Sequence, residues 1–223
     1  MKTLWTFGDS MTFGHGCRED CPNNQYYLLY KQEGNDIWPN ILANKLNSNI
    51  INLGKSGASN DYIIDSIIDN FNDIKENDYV VIGKTFHERF DVPDKQYNVL
   101  RAVFGEIKDI DINKDWFFWF KNEEQYRTQE EIETLINFNY YYSSNLLYKE
   151  RQDKRFDFLS KRLEERNVKV FSWQNGDSHK DKLFERIINH TKGKIPDYHF
   201  SFKGHKDFSE YFYSKIMEEK KII

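Results

Sequence analysis

A serine hydroxyl attacks a carbonyl carbon only when a neighbouring base takes its proton and N–H donors receive the charge that builds on oxygen. Near its start the chain holds a serine in a setting suited to this, Gly8-Asp9-Ser10-Met11-Thr12-Phe13-Gly14. Glycines let the backbone bend tightly there, and a helix following the turn would aim its free N–H groups at the site. A base of the right kind stands near the other end. There, Asp197-Tyr198-His199 precedes Phe200-Ser201-Phe202-Lys203-Gly204-His205 and an amphipathic segment. An aspartate this close to a histidine can hold the ring and stabilise imidazolium, provided the loop turns the two side chains together. Each feature also has a plainer reading. A Gly-Asp-Ser turn serves equally as a helix N-cap, and His199 as a loop histidine beside a Pro196-Asp197 turn.

Chemistry between these residues needs a scaffold that brings both ends of the chain together. Apolar runs at Leu4 to Phe7, Ile50 to Leu53, Tyr79 to Ile82 and Val168 to Phe171 read as short strands. Helical spacing marks Ile37 to Leu46, with Ile37, Ile41, Leu42 and Leu46 on one face. It marks Tyr62 to Ile74 as well, with Ile63, Ile64, Ile67, Ile68 and Phe71 on one side, and a closing helix holds Phe208 to Ile216. Continuous apolar strands alternating with helices imply an α/β fold, a flavodoxin-like three-layer α/β/α sandwich with a central parallel sheet. In such sheets ligands collect at the carboxyl ends of the strands. Three strands end in glycine and a polar turn, Gly8-Asp9-Ser10, Gly54-Lys55-Ser56 and Gly83-Lys84-Thr85, so all three turns are expected to open on one edge.

Between the third and fourth strands, roughly 91–167 is too long for a simple crossover. It carries Trp116-Phe117-Phe118-Trp119-Phe120 and Phe138-Asn139-Tyr140-Tyr141-Tyr142, then a helical stretch from about Ser143 through Arg166. The segment reads as a helical, aromatic-rich insertion whose rings are core; the alternative is a platform that stacks on sugars or acyl groups. With no internal repeat and no low-complexity linker, 1–223 is expected to form one domain.

Composition narrows the partners. The chain has 223 residues, 17% of them aromatic and 30% charged, as expected of a folded protein. A net charge of −4 offers no basic face for nucleic acid. The first residues lack a secretory signal, and no stretch approaches the roughly 18 apolar residues of a membrane span. A protein cytoplasmic as synthesised is expected, with release by lysis or in a virion compatible. Cys17 and Cys21 stand in a polar loop without further ligands at metal-binding spacing, so two free thiols and no metal are expected. The oligomeric state is not legible.

Taken together the motifs resemble the SGNH hydrolase family, also called GDSL-like lipases and esterases. The first block reads Phe7-Gly8-Asp9-Ser10-Met11-Thr12, with Met11 where the namesake leucine usually stands. The second resembles Asn52-Leu53-Gly54-Lys55-Ser56-Gly57-Ala58-Ser59-Asn60, and the last resembles Asp197-Tyr198-His199 with the Gly204-His205 pair. The resemblance implies Ser10 as nucleophile, His199 as general base and then acid, and Asp197 as its orienting partner. It implies the N–H groups of Ser10 and Gly57 as oxyanion donors, a structural role for His205, and no cofactor. Where the family carries Gly-x-Asn-Asp in its third block, this chain has Gly83-Lys84-Thr85-Phe86-His87-Glu88-Arg89, with Thr85 in the position of the donating Asn. Thr85 or Asn60 would complete the oxyanion hole; the loss of one donor costs about a hundredfold or more in rate. Phe200 replaces a common proline, and one residue rather than two separates Asp197 from His199.

Lys84, His87 and Arg89 on the third loop could bind an acidic substrate, since Arg forks onto carboxylates; Arg89 paired with Glu88 or Asp91 is the plainer reading. His15, just after the first turn, has less to recommend it. The expected activity is hydrolysis of a small acyl ester, acetyl above all, on a small molecule or glycan. The alternatives are a catalytically weak glycan-binding module and an acyltransferase using the same triad.

Overall fold

The computed structural model describes residues 1–14, 37–55, 57–87, 89–93, 99–102, 146–174, 200 and 202–219. Among these, β1 (Thr3–Gly8), β2 (Asn49–Gly54), β3 (Tyr79–Lys84) and β6 (Lys169–Gln174) form one sheet, parallel throughout, in the order β2-β1-β3-β6. The inner strands β1 and β3 are buried residue after residue, as strands covered on both faces must be. The outer strand β2 is more open, with Ile51 37% exposed. A short antiparallel pair, β4 (Phe90–Pro93) and β5 (Val99–Ala102), lies outside this sheet and begins the insertion that was expected to be helical.

The helices are α1 (Ser10–Phe13), α2 (Trp38–Leu46), α3 (Asn60–Asn70), α4 (Leu146–Glu164) and α5 (Phe202–Glu219). Helices α3 and α4 cover one face, where Trp5, Phe7, Ile63, Ile67, Ile82 and Leu163 share a core. Helices α2 and α5 cover the other, with Leu4, Trp38, Leu42, Val81, Phe208 and Phe212. Successive side chains of β1 thus feed opposite cores, and the three-layer α/β/α arrangement stands. The aromatic runs at 116–120 and 138–142 lie outside the described residues, as do Cys17, Cys21 and His15.

Local rules explain most boundaries. Pro39 sits in the first turn of α2, where its missing N–H costs nothing, and Asn47 closes the helix with φ 49°. Ser59 caps α3 through Oγ, which accepts from Tyr62 N at 3.0 Å. Ile68, on the same side of its helix as Ile64 and Phe71, is nonetheless 51% exposed. It lines a groove of about 570 Å³ with Ile64, Phe71, Phe158 and Leu159, because α4 covers only the Ile63–Ile67 side of α3. Across the same seam Arg155 bridges Asp61 and Asp65. Burial lifts the Asp65 carboxyl above the ordinary aspartate range; Arg155 pulls it back, and Asp61 and Asp69 add to the rise.

The order of connections decides where a site can form. The chain passes from β1 to β2 with α2 on one face, then back across β1 to β3 with α3 on the other. That swap of face is what a reversal of direction demands when crossovers keep one hand. From β3 it continues outward through α4 to β6. The segments leaving β1 and β3 therefore diverge to opposite faces, which opens a crevice between the carboxyl ends of those two strands.

At the amino edge the sheet is tied by Asp78, 4% exposed. Its Oδ1 accepts from Thr3 N at 2.8 Å, and its Oδ2 from Trp5 Nε1 and Lys75 N at 3.0 Å each. Replacing Asp78 with Ala leaves three donors without their acceptor, and about 3 kcal/mol of stability is expected to go. Urea unfolding measures this, and a loss under about 1 kcal/mol would show that water replaces the carboxylate.

Candidate active site

Ser10 opens α1 directly beyond β1, at the crevice. The capping role falls to its neighbour: Asp9 is the N-cap, with Oδ1 accepting from Met11 N at 3.0 Å. The Asp9 carbonyl accepts from Thr12 N at 3.1 Å and Phe13 N at 2.9 Å. Gly14, at φ 94°, closes the helix by donating its N–H to Ser10 O at 3.0 Å. Ser10 is 6% exposed.

Four residues are too few to hold a helix unaided, and neighbours grip this one from several sides. Asn52 of β2 donates from Nδ2 to Thr12 O at 3.0 Å, while its Oδ1 accepts from Thr6 Oγ1 at 3.0 Å and Gly54 N at 2.9 Å. Trp38 of α2 donates from Nε1 to Met11 O at 3.1 Å. The strand-end glycines are contact surfaces for the same helix. A Cβ on Gly54 would stand 2.5 Å from Phe13 N and 2.7 Å from Thr12 C; one on Gly8 would stand 2.1 Å from Thr12 Oγ1.

The loop after β3 meets the Ser10 turn through Asp9. Thr85 Oγ1 donates to Asp9 Oδ2 at 2.8 Å, and Arg89 Nη1 donates to the same oxygen at 2.9 Å. Thr85 N in turn donates to Asn60 Oδ1 at 2.8 Å. Asn60 Nδ2 donates to Thr85 O at 3.0 Å and to Gln152 Oε1 at 3.1 Å. The one hydroxyl proton of Thr85 and both amide protons of Asn60 are therefore engaged within the protein. In this arrangement neither side chain has a proton to give an oxyanion, in contrast to what the sequence led us to expect.

The other expected residues fall as follows. Gly57 is buried in the turn after β2 at φ 72°, a conformation that favours glycine, and Ala58 N donates to Lys55 O at 3.0 Å across that turn. Lys84 points to α4, with Nζ 3.5 Å from Asp153 and over the Phe156 ring at 5.1 Å. Arg89 pairs with Asp9, so a carboxylate already faces its charge; Glu88 and the side chain of Asp91 lie outside the described residues. His87 is half-buried on the same loop. Asp197 and His199 lie outside the described residues.

Phe200, the residue after His199, is fully buried, its ring centroid 6.0 Å from that of Trp173 and 4.9 Å from that of Phe208. Trp173 stands at the carboxyl end of β6, in register with Gly83. A Cβ on Gly83 would lie 2.7 Å from Trp173 Nε1 and 3.0 Å from Thr12 Oγ1. Phe200, Trp173, Gly83 and Thr12 thus follow one another from the last loop to the Ser10 turn. His205 is buried, and its Nδ1 accepts from Trp38 N at 3.2 Å. That contact is structural. It supplies the first turn of α2 with the acceptor that Ile37, its N-cap, does not provide.

No protein-family model matches the chain, and no curated protein matches it. Solved structures similar to it include lipolytic and esterase proteins. One is a member of the lipolytic protein G-D-S-L family from Veillonella parvula DSM 2008, 15% identical, covering 94% of this chain and 95% of that one, TM-score 0.36. Another is an acetyl xylan esterase from the rumen bacterium Butyrivibrio proteoclasticus, 10% identical, covering 98% of this chain and 64% of that one, TM-score 0.45. A third is a catalytic mutant of an acetylxylan esterase from Geobacillus stearothermophilus, 13% identical, covering 96% and 94%, TM-score 0.33. At such identities and scores these likenesses decide nothing about the chemistry of this chain. Among the described residues, no helix is long and apolar enough to cross a membrane, and no cluster of His, Cys, Asp and Glu could hold a metal ion.

Spacing put Asp9 in the first block, Asn52 in the second and Arg89 on the third loop, but it gave no sign that Asp9 and Arg89 pair, and Trp38 had no signal at all. Because backbone meets backbone at Gly54, the Gly54→Ala chain is expected to lose about 1–3 kcal/mol of stability. The urea midpoint reads it, and an unchanged midpoint would mean that α1 can lift off β2 freely.

Proposed function

We propose that this chain is a serine hydrolase acting on a small acyl ester, acetyl above all, carried by a small molecule or glycan. Ser10 Oγ attacks the ester carbonyl as His199 takes its proton. The tetrahedral oxyanion rests on the N–H groups of Ser10 and Gly57, and His199, oriented by Asp197, returns the proton to the departing alcohol. Water then enters, loses a proton to His199 and releases the acid. The whole of 1–223 works as one domain in this reading.

The observation that carries it is the run of contacts from Phe200 through Trp173 and Gly83 to Thr12. Phe200, the next residue in sequence after His199, is anchored at the carboxyl edge of β6, the edge of the sheet where Ser10 stands, and this supports the reading. The cap geometry supports the same reading. Asp9 takes up the N–H groups of Met11, Thr12 and Phe13, so the serine is not the capping residue. Ser10 is nearly buried, which suits a short acyl group better than a long one. Phe86, 41% exposed on the loop after β3, offers the kind of ring that stacks on sugars. A second reading, a glycan-binding module with weak chemistry, draws on the engagement of Thr85 and Asn60 elsewhere.

A fluorophosphonate probe is expected to label the parent chain and not Ser10→Ala, and His199→Ala is expected to lower kcat on an acetyl ester by about 10⁴-fold or more. Acetyl esters should outrun butyryl and longer ones, with acetate released from acetylated xylan or acetylated sialic acid. Equal labelling of the parent and Ser10→Ala would end the hydrolase reading in favour of the second.

A further inference from the structure

The loop after β3 lacks the Gly-x-Asn-Asp pattern that the other blocks led one to expect, and its residues do something else. Oδ2 of Asp9 is held by Thr85 and Arg89 of this loop, at 2.8 and 2.9 Å, while Oδ1 holds Met11 N at 3.0 Å. One carboxylate thus joins the loop to the helix that begins with Ser10. We infer that Arg89 is a positioning residue for the Ser10 nucleophile, acting through Asp9; this rests on the hydrolase reading above.

The approach of Arg89 is set by the backbone. Arg89 N donates to Phe86 O at 3.1 Å, which closes a turn, and the guanidinium lies over the Phe86 ring at 5.2 Å. The turn returns the side chain toward β1 instead of letting it run into solvent. Burial then gives the pair its grip. Asp9 is 1% exposed and the Arg89 side chain 12%, so water competes little for either partner. An exposed pair would hold no geometry worth the name; a buried one resists separation, because the guanidinium would be left buried without the carboxylate it meets. The leverage is short as well. Asp9 is covalently next to Ser10 and caps a helix of only four residues, so a shift of the carboxylate moves the hydroxyl directly. Contact with an anionic substrate suits this guanidinium poorly, because its Nη1 already meets a carboxylate.

The test compares Arg89→Met, Arg89→Lys and Thr85→Val with the parent. The readouts are the second-order rate of fluorophosphonate labelling at Ser10, kcat and KM on a chromogenic acetyl ester, and the thermal midpoint. Arg89→Met is expected to lose about a hundredfold in labelling and kcat, the cost of a reacting group misplaced by about 1 Å, with KM within about twofold of the parent. Arg89→Lys, which keeps the charge but not the fork, should recover about tenfold of that loss, and added methylguanidinium should restore part of the Arg89→Met rate. Thr85→Val should lose about tenfold, one hydrogen bond's share. A raised KM with kcat intact would make Arg89 a substrate contact and overturn the inference. Arg89→Met rates within about twofold of the parent would overturn it too. Should Arg89→Met fail to fold, the other two variants decide: parental kcat in both overturns the inference, and a lowered kcat at parental KM upholds it. A parent chain never labelled at Ser10 sinks the hydrolase reading and this inference with it, whereas a labelled parent with indifferent variants sinks the inference alone.

Discussion

Closing a single helical turn fixes several backbone dihedrals for one hydrogen bond, so a four-residue helix such as α1 has no stability of its own. It persists here because its neighbours hold it. Asp9 caps it in front and Gly14 ends it in the left-handed region. Asn52 and Trp38 bind two of its last carbonyls, and Gly8 and Gly54 let it lie directly on β1 and β2. Beyond its own caps these contacts come from β1, β2 and α2, so the position of Ser10 is a property of the whole sheet edge and not of its own turn.

The same logic links the last helix to the first. α2 begins with Ile37, which cannot cap with its side chain, and the acceptor comes instead from His205 on α5. An N–H donates to Nδ1, so that nitrogen carries no proton while the contact stands. Through Trp38, whose backbone N–H meets His205 and whose indole meets Met11 O, the two ends of the chain are joined by polar contacts as well as by packing. His205 is thereby occupied at Nδ1 as a structural acceptor. On the proposed reading the base is His199, and His205 serves the packing of α2 and α5.

Much of this architecture was legible in the sequence because it is local. Continuous apolar runs gave the two inner strands to within a residue or two, and the glycines after them marked the edge where the site forms. The exposure of Ile68 was not legible, because helical spacing tells which residues share a side, not how far a neighbouring helix reaches across it. Trp173 was missed as a strand residue because β6 continues past its apolar run, Val168 to Phe171, as far as Gln174. The pairing of Arg89 could not be read at all. Its partner is 80 residues away, and nearer acids, Glu88 and Asp91, offered a simpler match. Charge pairs at long range follow from topology, here from β3 lying beside β1, and topology is written in the order of elements rather than in the residues that pair. The same holds for Thr85 and Asn60, whose residue types suited an oxyanion donor while their partners were set by the loop packing around them.

On the proposed reading this last point changes what the site depends on. If the side-chain amide that usually completes such an oxyanion hole is absent, the charge that develops must rest on backbone N–H groups. A backbone donor cannot be re-aimed by a rotamer change; its direction is fixed by the turn that carries it. One of these turns is held by the positive φ of Gly57, the other by the cap and contacts of α1. The loop after β3 has then exchanged one task for another, giving up a donor and acquiring a clamp on Asp9. Fewer donors can still serve if they are better held, since electrostatic stabilisation depends on dipoles that need no reorganisation when charge appears. Rigidity at Asp9 is the physical means by which this edge would offset a missing amide.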